Sequence, residues 1–404
     1  MIMKTKRKYL FPILLLTLMF SCVEPIDFTT ENFEEILFVD ATITNEMKKQ
    51  EIRIGRTYQF EASEPVWESN ATVKIFAGET QLLFEEIGEG LYTSSEEFAA
   101  QPNIDYKLEI TTSDGNVYSS TSQQLTQETQ IDELYAERIT NDDGVNGMSI
   151  YVDSFDPSGN SKYYRYEYEE TYKVIAPAFI NEDLILIDPD FPACEVGISP
   201  IPRAEDKRLC YATDYSQKLT IFSTNNLIED RVSRFPVRFI SSMNYIITHR
   251  YSILVRQYVH SREGYAFYET LKEFSENGDI FTQNQPGFIN GNLILESDSS
   301  QKVVGFFDVV SVSSKRIFFS YSDFYPGEPY PPYAVSCGRS APARFSPTGN
   351  SCGPLISAIA LNTLVYFGPN EGEIPDGDAY LMVLRECGDC TALGTPIEPD
   401  FWIE

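Results

Sequence analysis

From Ile36 to about Thr126, apolar and polar residues alternate in short runs. They include Ile36-Leu37-Phe38-Val39, Glu51-Ile52-Arg53-Ile54, the stretch Ala71 to Phe76, Gly90 to Thr93, and Tyr106 to Ile110. A period of two marks half-buried strands, because successive side chains leave opposite faces of a sheet. Turn residues separate the runs, and Ser113-Asp114-Gly115-Asn116 leads into Val117-Tyr118. Strands at this spacing predict an immunoglobulin-like β-sandwich over 36–126, with Val73 and Ile75 inward and Lys74 outward. The Ser/Thr/Gln-rich stretch from Ser119 to Gln130 then marks a boundary with a second domain, 127–404.

The second domain reads as mostly β as well. Tyr164, Tyr166, Tyr168, Tyr172 and Val174 share one parity, while Arg165, Glu167, Glu169 and Lys173 share the other. That pattern is a long strand with an aromatic face and a charged face. Arg250 to Val259 reads as another strand. One amphipathic helix interrupts the strands: Ser261 can cap it, Glu263 suits its first turn, Phe267, Leu271 and Phe274 fall on one side, and Asn277-Gly278 stops it. The fold class expected is therefore mostly β, a sandwich followed by a larger β-rich (α+β) domain with one helix. The Pro/Tyr-rich stretch Phe324 to Tyr333 is a loop. Its Tyr325, Tyr330 and Tyr333 are the binding candidates, since tyrosine is rigid, large and amphipathic. The competing reading packs them onto the domain beneath.

The first 21 residues break this pattern. Lys4, Lys6, Arg7 and Lys8 precede an apolar run from Tyr9 to Phe20, then Ser21 and Cys22. This is a signal peptide, too short to span a bilayer. Met19-Phe20-Ser21-Cys22 resembles a bacterial lipobox, which makes Cys22 the lipidation candidate. Residues 22–35 then form an acidic tether. Each buried acyl methylene contributes about 0.8 kcal/mol, and two or more chains anchor a protein stably. After removal of the signal segment the formal charge falls from −29 to −33. Such a surface repels nucleic acid and anionic headgroups.

Six cysteines follow Cys22: Cys194, Cys210, Cys337, Cys352, Cys387 and Cys390. An even count in an exported chain points to disulfides. Proximity favours Cys194–Cys210 and Cys337–Cys352, with a local Cys387–Cys390 bridge. Cys387-Gly388-Asp389-Cys390 lacks the strand-to-helix surroundings of a redox motif. It also lacks the second pair that zinc would need. Gly349-Asn350-Ser351-Cys352-Gly353 spells a nucleophile elbow, but its flanks are Pro-, Gly- and Ser-rich. The only histidines, His249 and His260, precede it in the wrong order. Eleven residues apart on one strand, they do not share a metal. Asp153, Asp156 and Gly159-Asn160 have some calcium flavour, but a plain turn is the better reading. No catalytic residue, metal or cofactor is expected.

Several segments carry a resemblance as a set: Glu24 to Asp27 after the lipobox, Ile253 to Tyr258, Gly278-Asp279-Ile280-Phe281, Gln285-Pro286, Gly291-Asn292 and Val304-Gly305-Phe306-Phe307. With Cys387-x-x-Cys390 and Pro399 to Trp402, they resemble the Bacteroidota outer-membrane lipoproteins of domain of unknown function 4249. The resemblance implies an accessory partner for a TonB-dependent receptor, because such genes commonly lie together. It also implies a protein lipid-anchored in the outer membrane and facing the cell surface. It transfers no catalytic residue. A structural or adhesive surface protein is the alternative, and a surface hydrolase a weaker one.

Overall fold

A computed structural model describes residues 35–57, 66–190, 195–276, 289, 291–346 and 352–404. The signal peptide, Cys22, most of the tether, Cys194, Asn277-Gly278, Gln285-Pro286 and Gly349 to Ser351 lie outside the described residues. Among the described residues, strand outnumbers helix 48% to 10%, which makes the class mostly β.

The predicted alternation holds in Leu37–Thr44, Thr72–Ala77 and Tyr106–Thr111, whereas Leu91–Ser94 and Val117–Ser120 are buried over three successive residues. In Leu37–Thr44, residues Leu37, Val39, Ala41 and Ile43 are buried while Asp40 and Thr42 face away. In Thr72–Ala77, Val73 and Ile75 are buried and Lys74 points outward to pair with Glu109 at 2.8 Å. These strands enclose one core with Ile52, Ile54, Tyr92, Leu108 and Ile110.

That core does not close with residues 36–126 alone. Leu293–Leu295 pairs with Val117–Ser120. The first half of Val303–Ser320 runs parallel to Leu37–Thr44, Leu37 opposite Val303 through Thr44 opposite Val310. Leu293, Leu295, Phe307 and Val309 belong to the same core. The expected boundary near 126 is thus corrected: the later chain supplies two strands of the sandwich. Glycines make the close packing possible. Gly305 has φ +143°, and a Cβ there would stand 2.1 Å from the Val39 carbonyl oxygen; one on Gly291 would stand 1.5 Å from that of Gly305. Asn292 brackets Phe307, donating to its carbonyl and accepting from its N–H, both at 2.8 Å. The Gly291-Asn292 and Gly305 motifs therefore have a packing role.

Val303–Ser320 continues past the sandwich and pairs with Arg250–Val259, which pairs with Tyr163–Ile175. Among the described residues, one 14-stranded sheet therefore passes from the first core to a second. The second core lies between this sheet and a three-stranded one, and it holds Tyr164, Tyr166, Tyr172 and Val174, as the parity predicted. Glu170 shares that parity and is also buried, an inward carboxylate among aromatics. The helix spans Arg262–Glu276, with the Ser261 hydroxyl accepting from the Gly264 N–H at 3.0 Å.

The disulfides join distant parts of the chain. Cys210 bonds Cys390 and Cys337 bonds Cys387. Cys352 is also disulfide-bonded, but not to Cys337. The expected pairs Cys194–Cys210, Cys337–Cys352 and Cys387–Cys390 are all overturned. Sequence proximity failed because the last hairpin, Leu364–Pro369 with Tyr380–Leu384, brings Cys387 and Cys390 back to the body of the protein. The tail then lies against the sheet, with Trp402 packed on Tyr211 and Phe318.

Candidate functional site

The outer face of the large sheet carries a cleft of about 370 Å³ where the sheet leaves one core for the other. Asp40 and Thr42 reach it because their neighbours in sequence face the sandwich core. Arg165 and Glu167 reach it because Tyr164 and Tyr166 take the other core. Pairing sets these groups side by side, with Thr42 opposite Asp308 and Arg165 opposite Tyr258. The turn Lys48 to Gln50 and the start of the next strand form the wall. Gln50, fully buried, fixes that turn. Its side chain accepts from Thr44 N–H at 3.1 Å and donates to the Glu46 and Phe98 carbonyls at 3.0 and 2.9 Å.

Arg165 is the hinge of the site. Its Nε–H donates to His260 Nε2 at 3.0 Å, so the imidazole proton resides on Nδ1 and is donated to Asp308 Oδ2 at 2.6 Å. One terminal guanidinium nitrogen bonds Glu167, whose other oxygen accepts from the Tyr258 hydroxyl at 3.0 Å. The guanidinium carbon lies 4.5 Å from the Tyr258 ring centroid and 4.8 Å from that of Tyr268. Planar stacking plus hydrogen bonds suits arginine and would not suit lysine. The helix Arg262–Glu276 covers the inner end. A Cβ on Gly264 would stand 2.5 Å from Asp308 Oδ2, so glycine lets the helix close over that carboxylate.

Burial pushes the His260 pKa down, and Asp308 beside it offsets only part of that. Burial likewise opposes the charge on Arg165, but Tyr268, Glu167 and Tyr258 more than compensate, leaving its pKa above the ordinary value. Asp40 is open to solvent within the cleft yet enclosed by protein around it. That enclosure raises its carboxyl pKa, with Arg165 pulling the other way.

A pH dependence follows from His260. The folded state keeps it neutral, whereas the unfolded chain takes up the proton at about pH 6.5. The neutral histidine's contribution to stability is therefore in place above that pH and is lost as the pH falls through it. Asp308, Arg165, Glu167 and Tyr268 all face the ring or its partners, and Asp308 moderates the loss. The urea midpoint of the wild type should fall more between about pH 7.5 and about pH 5.5 than that of His260→Gln. Equal slopes would contradict this protonation state.

The tyrosines singled out from sequence do not form one platform. Tyr325 is 1% exposed, stacked on Tyr321 at 4.6 Å with Arg138 on its ring at 4.2 Å. Tyr333 packs near Tyr245 and donates to the Glu386 carbonyl at 2.9 Å. Tyr330 alone is open, at 64%, beside Tyr321 and His249. The Asp156 loop is a turn: burial opposes ionisation, but Ser158, Asn160 and Ser161 donate to the carboxylate and hold its pKa down to about 2. Among the described residues, no group of three or more His, Cys, Asp and Glu side chains is placed to hold a metal.

Residues 23–316 match the family model described as Domain of unknown function (DUF4249). The match ends before Cys387-x-x-Cys390 and Pro399 to Trp402, to which the resemblance read from sequence had extended. No curated protein matches the chain.

Proposed function

The chain belongs to the DUF4249 family, and from that membership and the cleft we propose a non-catalytic binding protein of the outer membrane. It would be anchored through lipid on Cys22 and serve a TonB-dependent receptor as its accessory subunit. The receptor and the membrane rest on the lipobox and on the resemblance to Bacteroidota lipoproteins. The binding role rests on the cleft, and above all on Arg165, whose guanidinium is fixed from several sides where it lines that cleft. Rigid polar groups in a concave site favour recognition, because little order remains to be imposed when a ligand arrives. His260 has both ring nitrogens engaged, which favours a positioning role for it over proton transfer.

The partnership is tested by pulling the native lipidated protein from detergent-solubilised membranes and identifying what accompanies it. A stoichiometric β-barrel receptor is the expected result. Recovery of the protein alone, under conditions that preserve known receptor complexes, would count against a stable accessory subunit.

A further inference from the structure

We infer that the cleft takes an uncharged, polyhydroxylated ligand of the saccharide type. The inference rests on the proposed binding role and adds the chemistry of what is bound. The whole chain has nearly twice as many acidic as basic residues, 60 against 31. The cleft departs from that ratio: Lys48, Lys49, Arg53 and Arg165 stand among Asp40, Glu51 and Glu167.

The two signs are interleaved. Arg165 is bonded to Glu167, Lys48 pairs with Glu46 at 2.8 Å, and Asp40 feels both Arg165 and Arg53. An anion drawn to Arg53 or Lys49 would therefore also meet Asp40, Glu51 and Glu167. A cation drawn to those carboxylates would meet the bases. A zwitterion needs its two poles matched by separated patches of charge, whereas Asp40 lies within reach of both Arg165 and Arg53, and Arg165 is itself paired with Glu167.

A hydroxyl group meets none of these obstacles. It donates to a carboxylate and accepts from a guanidinium or ammonium in the same contact, so alternating donors and acceptors suit it. Hydrogen bonds to groups that are already ionised and already paired are strong, and the protein keeps its own charge balance. A neutral solute also loses far less hydration on entry than an ion does. Leu91 and Tyr258 leave a small apolar part for carbon-bound hydrogens.

The test is ligand-observed NMR on the full mature chain with D-glucose, D-galactose, N-acetyl-D-glucosamine and their β-linked dimers, alongside citrate and triglycine. At least one saccharide should bind saturably, with an affinity that holds as salt is raised, because screening acts on charged partners. Asp40→Asn and Arg53→Gln should each weaken it about tenfold or more while circular dichroism stays unchanged. Binding of citrate or triglycine that depends on Asp40 and Arg53, with the saccharides silent, would overturn the ligand class and leave the cleft standing as a binding site. Silence of every saccharide, or saccharide binding indifferent to both substitutions, would also overturn the inference. The receptor partnership is judged separately, by the pull-down.

Discussion

Replacing Glu170 with alanine should destabilise the protein by about 3 kcal/mol or more, the low end of what breaking a buried ion pair costs. Glu170 is 3% exposed and accepts two hydrogen bonds from Arg238, at 3.0 and 2.8 Å, plus one from the Tyr251 hydroxyl at 2.6 Å. Its removal strands a guanidinium that is three-quarters buried and a hydroxyl that is wholly so. Partial access of water to Arg238 keeps the loss at the lower end. Glu170→Gln retains an acceptor for Tyr251 and should cost clearly less. Glu170→Ala with Arg238→Met should recover part of the loss, because no charge is then left unpartnered. Urea unfolding of the wild type, the two Glu170 variants, Arg238→Met alone and the double variant checks this. Strictly additive losses would show that the pair does not act as a unit.

Removing the bridge between Cys210 and Cys390 should be at least as damaging. It closes 180 residues, and the Cys337–Cys387 bridge closes 50. Chain entropy sets upper values of about 5 and about 4 kcal/mol for loops of those sizes. The tail depends on the first bridge for its position. Tyr211 N–H and the Thr395 carbonyl bond at 2.8 Å beside it, and Trp402 sits against Tyr211, 8% exposed. Cys210→Ser with Cys390→Ser should therefore lower the unfolding midpoint and speed hydrogen exchange after residue 390. It should also red-shift the fluorescence, since Trp402 is one of only two tryptophans. An unchanged spectrum would mean that the tail docks without the bridge.

Local pattern made the strands legible. Period-two alternation identified Leu37–Thr44, Thr72–Ala77 and Tyr163–Ile175 and told which side chains face in. Capping and spacing identified the helix almost to its ends. What alternation cannot carry is partner choice between distant segments. The parallel pairing of Leu37 with Val303 joins strands more than half the chain apart, and nothing near either one announces the other. The disulfides are illegible for the same reason, since nearness in sequence is no guide to nearness in space across 180 residues.

The site was only half visible. The parity of the Tyr163 strand already placed Arg165 and Glu167 on one face, but that face had no recognised neighbour. Asp308 was the missed signal. A lone carboxylate in the apolar run Val303 to Val312 must find a partner if that strand is buried. The chain has two histidines, and His260 at the mouth of the helix is that partner. The Phe324 to Tyr333 loop misled because exposure cannot be read from composition. Tyr325 is held under Tyr321 and Arg138, and a loop rich in proline can still pack its rings.

Binding at the cleft is tested most directly by ligand capture. The mature protein and an Asp40→Asn/Arg53→Gln variant are each incubated with desalted small-molecule extract from the producing cells and their medium. Each is then isolated by size exclusion and analysed by mass spectrometry after denaturation. The wild type should carry one small molecule near stoichiometrically, and the variant should lose it. A wild type that carries nothing, or a variant that carries as much, would contradict binding there.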